Sequence, residues 1–161
     1  MITPDDLAGA FARNLSIIKA QTKGLTHADS LIQPPVRGNC MNWVLGHILE
    51  NRNLVLQRLG RPSILSEAQA KRYGYGSEPV CADGEDIIPL ETMLQLLEQS
   101  QGGIAEALER ITPEELAQKV ESFLGSTTLG QFLFFLYFHE TYHLGQTELL
   151  RQLAGVDDKV L

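Results

Sequence analysis

Phe132-Leu133-Phe134-Phe135-Leu136-Tyr137-Phe138-His139-Glu140-Thr141-Tyr142-His143-Leu144-Gly145-Gln146-Thr147-Glu148-Leu149-Leu150 is the stretch that decides between strand and helix. Its first half is aromatic enough for a strand, yet Phe132, Leu136, His139, His143, Gln146 and Leu150 recur at three- and four-residue intervals, the period of one helical face. The spacing predicts a long final helix, with Ser126 and Thr127 offering caps, that reaches about Ala154 before Gly155 stops it. On that helix His139 and His143 leave the same face one turn apart, within reach of one ion.

Upstream, Cys40, Val44, His47, Asn51 and Leu54 mark one face of a second helix over residues 40–59, ended by Gly60 and Pro62. Its centre is polar, because His47 stands where leucine would be the default. Thr3-Pro4-Asp5-Asp6 opens a first helix over 4–23: a capping hydroxyl, a first-turn proline and carboxylates at the positive helix end all agree. Leu7, Phe11, Leu15 and Ile18 form its apolar stripe. Pro89 opens a third helix to about Arg110 with Met93, Leu94, Leu97, Gln101, Ile104 and Leu108 on one face, and Gly102-Gly103 implies close packing or a kink. Thr112-Pro113-Glu114-Glu115 repeats the capped start for a short helix.

Two connections remain. Thr26 to Asn39 carries Pro34, Pro35 and Gly38, reads as a loop, and holds a solvated His27. Residues 61–88 show no sustained period and are expected to cover one end of the molecule. Strand evidence is weak throughout, so the expectation is an all-α four-helix bundle, one domain over 1–161, with a long loop between helices two and three.

Composition agrees with a folded globular chain: of 161 residues, 43% are hydrophobic and 20% charged. Acidic residues outnumber basic ones 20 to 13, a formal charge of -7, and the basic residues are scattered. Most of such a surface repels a phosphate backbone, so no nucleic-acid partner is expected. No apolar run reaches membrane-spanning length and the N-terminus lacks the basic and apolar regions of a signal peptide, which points to the cytoplasm and no membrane partner. Cys40 and Cys81 form no CxxC and are read as reduced, Cys40 as a core filler.

The chemistry is in the histidines. Three buried imidazoles in one helical core need partners that a dry interior rarely supplies, and a metal ion satisfies His47, His139 and His143 together. Three neutral imidazoles plus one open position is the arrangement of a catalytic rather than a structural metal site. His139-Glu140-Thr141-Tyr142-His143 also spells HExxH, the zincin pattern. Against a peptidase, only 18 residues follow His143, and Glu148 points about 140° away around the helix. Glu140-Thr141-Tyr142-His143 is likewise one Glu-x-x-His, whereas a di-iron centre needs two. Glu140 is placed beside the inner stripe, outside the ligand shell. Asn51 and Gln146, each one turn beyond a histidine, are placed to orient a ligand or to make ordinary buried hydrogen bonds. Glu50, Tyr142 and Tyr73-Gly74-Tyr75 are candidates for the rim, and Trp43 for the core or a dimer interface.

Asn42-Trp43-Val44-Leu45-Gly46-His47, Thr128-Leu129-Gly130-Gln131 and His139-Glu140-Thr141-Tyr142-His143-Leu144-Gly145-Gln146 together resemble the DinB/YfiT-like family of metal-dependent enzymes. With the helix order, the resemblance spans nearly the whole chain. It implies a four-helix bundle, commonly a homodimer, in which His47, His139 and His143 hold one divalent transition metal: nickel, zinc or iron. Relatives that use glutathione, mycothiol or bacillithiol imply a low-molecular-weight thiol as cosubstrate and a transferase or hydrolase acting on small molecules. The alternatives are a metal-binding stress-response protein without turnover and, third, a metallopeptidase acting through His139-Glu140-Thr141-Tyr142-His143.

Overall fold

Five helices begin the same way. Thr3, Thr26, Ser66, Thr112 and Thr128 each accept a hydrogen bond from the amide three residues on, while Asp6, Asp29, Gln69, Glu115 and Gln131 accept from the cap's own amide. Each such box satisfies two otherwise orphaned donors and contributes about 1 kcal/mol, which pins the helix starts. In the computed structural model, which describes residues 2–160, the resulting order is α1 Pro4–Thr22, α2 His27–Ser30, α3 Met41–Arg58, α4 Glu67–Tyr73, α5 Leu90–Leu108, α6 Pro113–Leu116, β1 Lys119–Ser122, β2 Gly125–Thr128 and α7 Leu129–Leu153. The chain is mostly helical.

Four expectations need correction. A strand pair exists: β1 and β2 form an antiparallel hairpin in the register Lys119↔Thr128 to Ser122↔Gly125, with Gly125 at φ +82°. It docks rather than standing alone, since the Phe123 ring meets Phe132 and Phe135 edge-on at 5.5 and 5.7 Å. Consequently Ser126 and Thr127 lie in β2, and Thr128 caps α7. His27 is not a solvated loop residue; it opens α2, and its Nδ1 accepts from the Leu90 amide at 3.2 Å. That bond supplies the cap which Pro89, lacking a capping side chain, cannot give to α5. Its Nε2 lies 3.2 Å from Asp83.

The fourth correction concerns α7. Its buried line runs Phe132, Leu133, Leu136, Glu140, Leu144, Thr147 and Leu150, with Glu140 1% exposed, so the glutamate lies on the inner stripe and not beside it. His139 and His143 are half-buried at the edge facing α3, and Gln146 is exposed.

The four long helices pack side by side: α1 touches α5 and α7, and α3 touches the same two. Trp43 meets His143 at one end of α3 and Arg58 lies over Phe132 at the other, so α3 and α7 are antiparallel. By contrast α3 and α5 run parallel, with Asn42 bonded to the Ile88 carbonyl just before α5 and Leu56 against Gly103 further along. A Cβ at Gly103 would sit 2.8 Å from Leu56, which is the close packing that the double glycine predicts. Two adjacent parallel helices oblige the chain to travel back along the full length of α3, about 27 Å. This is why residues 59–89 are so long a connection; they carry α4 and lay Tyr73, Val80, Ile87 and Ile88 into the core.

The core is two apolar clusters, one around Ile18, Leu45, Ile48 and Leu97, the other around Phe11, Leu56, Ile104 and Phe132. Between them every long helix contributes a buried polar residue: Asn14, then Asn51 and Arg52, then Ser100, then Glu140. Cys40 is fully buried, as a core filler should be, and its thiol lies 3.2 Å from the Val80 carbonyl oxygen. Cys81 is exposed, and both cysteines are free. No described helix is long and apolar enough to cross a membrane.

Candidate metal centre

His47 lies on α3 with only 4% of its surface exposed, held between two aromatic elements. The Trp43 ring stacks on its imidazole at 4.9 Å, and the Trp43 indole N–H donates to Ser77 Oγ. Trp43 is itself buried, so its place is in the core. One residue before His47, Gly46 faces the Tyr73 ring, where a Cβ would stand 2.1 Å from Cδ1. Only glycine permits that approach, and it brings the Tyr73 carbonyl to 2.8 Å from His47 Nδ1. A carbonyl can only accept, so Nδ1 carries the proton and Nε2 keeps its lone pair.

On α7, His143 Nδ1 donates in the same way to Gln146 Oε1 at 2.9 Å, and its Nε2 lies 3.2 Å from His139 Nε2. The three rings converge. Centroid distances are 5.1 Å for His47 to His139, 4.8 Å for His47 to His143 and 4.5 Å for His139 to His143. One ring nitrogen of each lies within 4.8 Å of the other two, a group that could hold a metal ion. The His139 to His143 separation is close to the roughly 3.3 Å spanned by two nitrogens on one tetrahedral ion. His139 Nδ1 is buried with no partner, so this cluster is unsatisfied as it stands. Burial lowers the pKa of each imidazole, that of His139 to about 4, where repulsion from protonated forms of His143 and His47 adds to the effect, and so favours the neutral, ligating form.

The chain belongs to the DinB superfamily. The profile of that superfamily matches residues 10–147, a span that contains all three histidines. This DinB superfamily chain also resembles the crystal structure of a conserved protein from Enterococcus faecalis, with a TM-score of 0.73 at 15% identity over 96% of this chain and 98% of that one. At that identity the likeness is one of fold. Among curated proteins, none matches.

Around the histidines the other expected residues separate. Asn51 donates to the His47 carbonyl at 2.9 Å, within its own helix, and its Nδ2 lies 3.4 Å from His47 Nε2. Gln146 is the residue that fixes a ring. Tyr142 is exposed and edge-on to His143 at 5.3 Å, whereas Tyr75 is 98% exposed and makes no wall. Glu50 is half-buried one turn from His47, and burial raises its carboxyl pKa. Arg52 is absent from the expected residues, and Tyr73, expected at the rim, is fully buried. Tyr73 supplies a carbonyl, for which a sequence has no letter, while its hydroxyl donates to Asn42 Oδ1 and accepts from the Ile88 amide. Arg52, fully buried, binds both carboxylate oxygens of Glu140: Nε to Oε2 at 2.9 Å and Nη2 to Oε1 at 2.7 Å.

Proposed function

We propose that this chain is a metal-dependent enzyme that joins a low-molecular-weight thiol to a small electrophilic substrate, with His47, His139 and His143 holding one divalent nickel, zinc or iron ion in a four-helix bundle of the DinB/YfiT-like type. The observation that carries the reading is the convergence of three imidazoles, one ring nitrogen of each within 4.8 Å of the others, two with Nε2 lone pairs fixed by Tyr73 and Gln146. Three protein ligands leave a position open for a small molecule. A bound divalent ion would supply the positive charge that lowers a thiol's pKa and keeps the thiolate available at neutral pH. The chain's own part is to keep the three rings neutral, fix their tautomers and shield one face of His47 with the Trp43 indole.

Glu140 does not serve as a base here. Both its oxygens accept from Arg52 in the interior, which leaves the HExxH letters without the free carboxylate that peptide hydrolysis needs. Phe134, Phe138, Tyr142, Leu149 and Leu153 form an exposed stripe along the outer side of α7 at helical spacing, which supports a homodimer paired through that face. Phe138→Glu is then expected to yield monomers in sedimentation. The setting that suits this chemistry is the cytoplasm.

The test begins with untagged protein and elemental analysis, where about one equivalent of a transition metal per chain is expected. Conjugation of a fluorogenic electrophile with several small thiols follows. Activity that His143→Ala abolishes supports the transferase, whereas metal without any metal-dependent conjugation leaves a binding protein.

A further inference from the structure

The Arg52 guanidinium does more than pair with Glu140. Its Nη2 also donates to the Phe11 carbonyl at 2.7 Å, and its Nη1 to Gln101 Oε1 at 3.2 Å and Ser100 Oγ at 3.4 Å. One side chain therefore touches α1, α5 and α7 from α3, at the polar layer between the two apolar clusters. Its place along the chain is equally specific: Arg52 follows His47 by five residues, and Glu140 directly follows His139.

A buried ion pair contributes little net stability compared with apolar residues of the same volume. What it adds is direction. Leu133, Leu136 and Leu144 bury almost equally well if α7 slides or turns slightly, because apolar contact is not directional. A guanidinium fork on two carboxylate oxygens fixes both distance and angle. With Glu140 aimed at Arg52, His139 is turned about 100° away, toward the edge facing α3, and His143 lies one turn along the same edge. Metal ligands tolerate displacements of only about 0.2 Å.

We propose that Arg52 and Glu140 are positioning residues for the three-histidine site, locking α7 in rotation and height against α3 so that His139 and His143 meet His47. The inference rests on the metal reading above. It assigns the glutamate of the HETYH stretch to alignment, through Arg52, and not to chemistry.

The experiment is Co(II) titration of the untagged, metal-stripped full chain, reading visible ligand-field bands and affinity by chelator competition, with circular dichroism to confirm folding. The apolar pair Arg52→Met/Glu140→Leu is expected to stay folded, to lose roughly tenfold or more in Co(II) affinity and to show broadened or shifted bands. Arg52→Lys, which keeps the charge and loses the fork, is expected to fold and to lose affinity in the same direction. Wild-type affinity and bands in either folded variant overturn the inference while leaving the metal reading intact. If the wild-type chain takes up no Co(II), the metal reading falls and this inference falls with it.

Discussion

Two polar clusters lie a few residues apart between α3 and α7, and they are finished to different degrees. In one, Arg52 and Glu140 are wholly buried and the carboxylate is matched at both oxygens, with the remaining guanidinium donors bonded to Phe11, Ser100 and Gln101. In the other, imidazole nitrogens face one another and His139 Nδ1 has no partner. Burial of polar groups is costly in both places. Internal completion marks the first as a device of the fold, whereas the second brings three ring nitrogens within 4.8 Å of one another, a group that could hold a metal ion.

The contrast breaks most visibly at Arg52. Arg52→Ala strands the Glu140 carboxylate in the core and is expected to destabilise by about 3–5 kcal/mol, read as a lowered urea midpoint. Gly46→Ala forces the Tyr73 ring away and is expected to destabilise by about 1–3 kcal/mol while freeing His47 Nδ1, visible as a shifted imidazole resonance. Acid should sharpen the comparison. The histidines take up protons less readily folded than unfolded, so below the ordinary value of 6.5 the unfolded chain binds more protons. The metal-free protein is thus expected to lose stability as pH falls from 6.5 toward the His139 value of about 4, with bound metal released over the same range. The smallest effect is expected at His139. His139→Ala removes an unsatisfied buried nitrogen and should change metal-free stability by less than about 1 kcal/mol while abolishing metal uptake, measured by melting and elemental analysis. A large loss of stability there would erase the distinction.

Much of this was legible from residue order. The long helices follow from apolar spacing, helped in α1 by the Thr3 cap, and the three histidines from their spacing on two helices. The hairpin was not legible, because four-residue strands reading Lys-Val-Glu-Ser and Gly-Ser-Thr-Thr bury almost nothing of their own and depend on Phe123 docking against α7. His27 escaped because its partner, the Leu90 amide, lies 63 residues away. Glu140 was misplaced because a lone carboxylate on an apolar face is normally turned out to water. The signal that would have corrected it was present twice: Arg52 continues the Leu45, Ile48, Leu56 line of α3, and Glu140 continues the Leu133, Leu136, Leu144 line of α7. Opposite charges centred on two facing apolar stripes indicate each other.

The approach of Tyr73 to Gly46 has a consequence for the order in which the molecule comes together. The carbonyl that sets the His47 proton arrives from the long return segment between α3 and α5, not from a neighbouring turn of helix. Helices alone therefore leave the His47 proton unplaced, and the tautomer of the ring is set only once that crossing has closed. An ion held by the proposed site would favour the closed form and in turn hold the crossing down, so residues 59–89 would resist a protease better with metal present.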